Sequence, residues 1–171
     1  EIRDDKRTAL RGRLQHFQSK GFPAGSNTGR GKAAAYGWDE LILLGIAMDL
    51  LEIGMPPDLA VSIVRDETDH IFSGLSDNIA FANEPDLVPV RAFYLVVEGY
   101  GLHLLREPDN GKRGVLTMHQ EDLEEAIQGG IQASLNFPIL IVDVRRIVID
   151  IMNWLTSDYG MGPEVYRSFI N

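Results

Sequence analysis

Arg11, Gln15 and Gln18 follow one another at steps of four and three residues. At about 100° per residue of helix, that spacing sets a guanidinium and two carboxamides along one side. Such a row is either an ordinary solvated helix face or a surface for contact with nucleic-acid bases and phosphates. A carboxamide can pair with the N6/N7 edge of adenine, and a guanidinium can pair with guanine O6/N7 or with a phosphate. Thr8 shares that side and His16 stands near it, while Arg13 sits beside the apolar stripe, where its stem can pack and its head reach outward. Arg7 and Lys20 add cations toward either end. Arg30 and Lys32 then fall in a Gly-rich stretch suited to following a phosphate backbone, with Tyr36 after it. Tyr36 is expected to pack under that loop, with a hydrogen bond to phosphate as the alternative.

Other polar clusters point to no second chemistry. His16, His70, His103 and His119 lack a second histidine or a paired carboxylate at ligand spacing, so neither a metal nor a cofactor is expected. Glu121, Asp122, Glu124 and Glu125 radiate in different directions around a helix and read as a solvated face. Asp66, Glu67, Asp69 and His70 have no phosphate loop, nucleophile elbow or histidine pair beside them, so the chain is not read as an enzyme. Cysteine is absent, which removes disulfides, thiolate ligands and a thiol nucleophile, and fits a reducing cytoplasm. The apolar run over residues 137–142 is far shorter than the ~20 residues that span a bilayer, so no membrane partner is expected.

The elements that must position these residues are legible in outline. Leu10, Leu14 and Phe17 form the buried stripe of a helix over residues 8–20, closed by Gly21 and barred from continuing by Pro23. Residues 24–37 form a loop or short hairpin. A second helix starts at Trp38, with Leu41, Leu44, Ile46, Leu50, Leu51 and Ile53 as a broad apolar face, and Gly54 ends it. Pro56 and Pro57 open a third helix that runs to about Ser73. Residues 88–98, 102–106 and 114–118 read as a three-stranded antiparallel meander, residues 120–132 as a helix, and Asp143 as the cap of a last helix through Leu155. The segment 138–155 is so apolar that it is either fully buried or a subunit interface. The fold class is α+β, with a mostly helical unit over residues 1–76 and a small α+β unit over residues 77–171.

Charge divides along the same line. Residues 1–37 hold eight Lys and Arg against three acids, a net of +5; the rest holds 8 basic and 22 acidic residues, a net of −14. A basic head on an acidic body is what a chain shows when one end meets phosphate and the other stays soluble, and a solvated charged arm gives a similar count.

The segment 14–60 resembles the MerR family of winged helix-turn-helix transcription regulators. Leu14-Gln15-His16-Phe17-Gln18 stands where that family ends its recognition helix, and Gly21-Phe22-Pro23 where it has a Gly-Leu step. Gly29-Arg30-Gly31-Lys32 with Tyr36 stands for the wing, and Ile53-Gly54-Met55-Pro56 for the turn between the next two helices. The resemblance covers about a third of the chain. It implies a helix set into the major groove of double-stranded DNA, a wing gripping the flanking backbone, and a homodimer reading two half-sites. The first helix of the motif is then expected either to lie upstream of Glu1 or to have been lost. Gln15 and His16 depart from the family's Arg and Tyr. The expected function is therefore a transcription regulator, cytoplasmic and nucleoid-associated when bound, with residues 77–171 free to dimerise or to meet a protein partner or small effector. The alternative expectation is a protein-interaction adaptor on a winged-helix-like scaffold, with the acidic body as its binding surface.

Overall fold

A computed structural model describes residues 4–25, 35–80, 92–98, 115–128 and 139–160. Among them the chain is α+β. Six helices run as α1 (Asp4–Ser19), α2 (Trp38–Glu52), α3 (Pro57–Asp66), α4 (Thr68–Ala80), α5 (Gln120–Gln128) and α6 (Val144–Tyr159), with strands β1 (Phe93–Glu98), β2 (Val115–His119) and β3 (Ile139–Asp143) forming one sheet. Buried side chains from Phe17 to Val148 belong to a single cluster that draws on both sides of residue 76. No helix of the described residues is long and apolar enough to cross a membrane.

The helix ends follow local chemistry. Gly54 has φ +93°; its N–H donates to the Leu51 carbonyl at 3.0 Å and that of Met55 to Leu50 at 3.0 Å, which satisfies two carbonyls that the helix end would otherwise orphan. Pro57 occupies the first helical position of α3, where its missing N–H costs nothing. Asp143 caps α6, accepting from the Arg146 N–H at 3.1 Å.

Four expectations shift. The first helix starts at Asp4, a turn before Thr8. In α2 the buried residues are Ile42, Leu43, Ile46, Ala47 and Leu50, whereas Ile53 is 51% exposed. A helix apolar on most sides has no single stripe from which to choose a buried face, and here α3, α6 and β3 all pack on it. The long third helix is two helices broken at Glu67, where the Thr68 hydroxyl donates to the Val64 carbonyl at 2.9 Å and competes with the regular ladder. The strands do not form the meander. β1 is central and pairs antiparallel with β2 on one side and β3 on the other, so Ile139–Asp143 supplies the third strand. Residues 102–106 and 129–132 lie outside the described residues.

Register assigns the two faces of the sheet. Phe93, Leu95 and Val97 alternate onto the main core and are at most 2% exposed. Val96, on the other face, lies between Leu116 and Ile141. Two glycines let helices approach closely. A Cβ on Gly45 of α2 would come within 2.5 Å of Ile147 Cγ2 on α6, and one on Gly74 of α4 would strike the Phe93 ring.

Gly74→Ala should therefore lower stability by about 2 kcal/mol, because the buried Phe93 ring has to move. Gly12→Ala, in the exposed part of α1 with no atom within 4 Å of the added carbon, should raise it by up to about 1 kcal/mol through helix propensity. Urea unfolding of the two variants beside the parent chain checks both signs.

Candidate nucleic-acid interface

Helix α1 is tied down at one end. Along its apolar stripe Phe17 is 1% exposed, whereas Leu10 and Leu14 are only half-buried. Gly21, at φ +64°, turns the chain so that the Phe22 N–H donates to the Phe17 carbonyl at 3.0 Å and the Gly21 N–H to Gln18 at 2.9 Å. The turn brings the Phe22 ring edge-on to Phe17, centroids 5.7 Å apart.

Polar contacts to α3 add to this anchor. Lys20 Nζ lies 3.1 Å and His16 Nε2 3.2 Å from Asp58 Oδ1, and Arg65 donates to the Lys20 carbonyl at 3.1 Å. These groups are exposed, so water and salt screen them and the pairs add little to stability. Burying each phenyl ring contributes roughly 2–3 kcal/mol. The aromatic pair therefore holds the helix end, and the ion pairs set its orientation.

The proposed contact residues fall into three groups. Arg7, Thr8, Arg11, Arg13 and Gln15 are exposed, and Arg7, Arg11 and Gln15 succeed one another at intervals of four along one side. His16, Gln18, Lys20 and Tyr36 have partners inside the protein: His16 and Lys20 on Asp58, and Gln18 Nε2 donating to the Tyr36 hydroxyl at 2.7 Å. That last bond ties Tyr36, two residues before α2, to α1; the loop under which Tyr36 is expected to pack lies outside the described residues. Arg30 and Lys32 lie outside the described residues. Lys6 is exposed as well and extends the cationic surface.

Asp58 and Arg65 join this surface without a signal in the sequence. They stand 42 and 45 residues from the groups they hold, and no local spacing marks them. Asp58 announced itself only as an acid in the first turn of α3, a position that the helix dipole explains without a partner. The other acidic clusters are local pairs. Glu67 contacts His70 at 3.0 Å, and Glu124 accepts from Gln120 at 2.7 Å. Among the described residues no three His, Asp or Glu side chains converge on a point that a metal could occupy.

Comparison with protein families, with curated proteins and with solved structures returned no match to this chain.

The hydrogen bond from Lys20, and after it that from His16, holds the Asp58 carboxyl below its ordinary range. A carboxylate depressed in the folded state contributes stability that is present above its unfolded pKa and is lost as pH falls through the folded value. The parent chain should therefore lose more stability than Asp58→Asn between about pH 6 and about pH 3. Urea midpoints at the two pH values measure the difference; equal losses would show that the contact does not stabilise the fold.

Proposed function

We propose that this chain is a DNA-binding transcription regulator that presents the exposed side of α1 to a duplex, with Arg30 and Lys32 gripping the adjoining backbone and a homodimer reading two half-sites. The observation that carries this reading is the row Arg7, Arg11 and Gln15 with Thr8 and Arg13 beside it, all exposed on a helix whose other end is anchored through Phe17. Guanidinium groups on a projecting helix can neutralise phosphates, and Gln15 can read an adenine edge. His16, Gln18 and Lys20 orient the helix rather than touch DNA. The order helix, Gly/Arg-containing segment, helix, glycine turn, helix supports reading α1 as the recognition helix that the MerR resemblance implies.

A second reading, the protein-interaction adaptor, is favoured by one observation: His16, Gln18, Lys20 and Tyr36, four of the residues suited to DNA contact, are already occupied by partners within the chain.

Fluorescence anisotropy with a random duplex pool at two salt concentrations decides between them. The regulator should bind at low salt and weaken steeply as salt rises. Arg7→Ala/Arg11→Ala/Arg13→Ala should flatten the slope of log K against log salt by about 0.9 for each phosphate contact removed. No binding at low salt, or a slope that the triple variant leaves unchanged, would sink the DNA reading and favour the adaptor.

A further inference from the structure

Arg13, His16 and Lys20 follow one another at steps of three and four residues, which sets them on one side of α1. Lys20 keeps the helical course, its N–H donating to the His16 carbonyl at 3.2 Å. It therefore stands two turns past Arg13, about 10 Å farther along the axis. Arg13 is exposed and belongs to the surface that the DNA reading presents to a duplex. A second cation at that distance would extend the same flank by one phosphate contact.

In the folded chain that cation faces an acid instead. Lys20 Nζ and His16 Nε2 share one oxygen of Asp58, Oδ1, at 3.1 and 3.2 Å, and the carboxylate reaches them from the first turn of α3. The contact is one that a phosphate can replace. The side chains of Lys20, His16 and Asp58 are 45%, 41% and 68% exposed, so an anion arriving from solvent can reach the ammonium. Carboxylate and phosphate oxygens offer it the same charge-assisted hydrogen bond, and the two anions therefore compete. The seat of α1 does not depend on which wins. Phe17 and Phe22 are buried, and Arg65 donates to the main-chain carbonyl of Lys20 rather than meeting its side chain.

We propose that Lys20 is a latent phosphate-binding residue of the DNA surface and that Asp58 is its built-in competitor, withholding the ammonium from the duplex backbone. The inference rests on the DNA reading and adds to it what limits the strength of binding. A phosphate contact carries no sequence information, so the limit applies to duplexes of every sequence alike. Asp58 thus holds down the sequence-independent part of binding and leaves base contacts by Gln15 as they are.

Duplex anisotropy on the whole chain, at two salt concentrations, tests this with Asp58→Asn, Lys20→Ala and the double variant. Asp58→Asn should bind a random duplex pool more tightly at low salt and steepen the slope of log K against log salt by about 0.9, one phosphate contact. A·T-rich and G·C-rich duplexes should gain equally. Adding Lys20→Ala to Asp58→Asn should return the slope to that of the parent chain, whereas Lys20→Ala should flatten the parent's slope less. Circular dichroism should stay unchanged throughout, and Asp58→Ser, also neutral, should repeat the result of Asp58→Asn. The inference is overturned, with the DNA reading intact, if the parent chain binds but Asp58→Asn keeps its slope, or if the gain survives in the double variant. No binding by the parent chain at low salt overturns both.

Discussion

Ile46, Ala47 and Leu50 of α2 are fully removed from water, and the neighbours that bury them carry the rest of the molecule. On one side α3 packs against α2 and presents Asp58 and Arg65 to α1; on another, α6 comes close at Gly45, and β3 joins at the end of the helix. The anchored helix end and β3 are therefore positioned by one buried column. Close packing of this kind resists small displacements, so both sit on rigid supports.

Charge is distributed to match that architecture. The described cations of α1 lie on a helix whose C-terminal end alone is buried, with Asp58 as the acid of α3 that meets it. A negative body beneath a positive projection orients a polyanion toward the projection and away from everything else.

Much of the local structure was legible in the residues, because its causes lie within a few positions of one another. Gly21 and Gly54 close helices since only glycine enters the left-handed region without strain, Pro57 opens α3 since its missing N–H is not needed there, and Asp143 caps α6 through a bond three residues long. The apolar stripe of α1 and its polar side were readable from periodicity in the same way. What periodicity could not express was how far along the stripe burial extends, and Leu10 and Leu14 remain half-exposed where Phe17 does not.

By itself, then, the sequence determined the α+β class, both ends of α2, the starts of α3 and α6 and the cationic side of α1, each a consequence of contacts between residues close in the chain. Only the tertiary structure decided which face of α2 is buried, that residues 139–143 and not a meander supply the third strand, and that His16, Gln18 and Lys20 turn inward to partners. Those outcomes depend on groups 18 to 97 residues apart, from Gln18 with Tyr36 to Asp49 with Arg146. No local pattern encodes such pairings, because they exist only once the core has brought the two segments together.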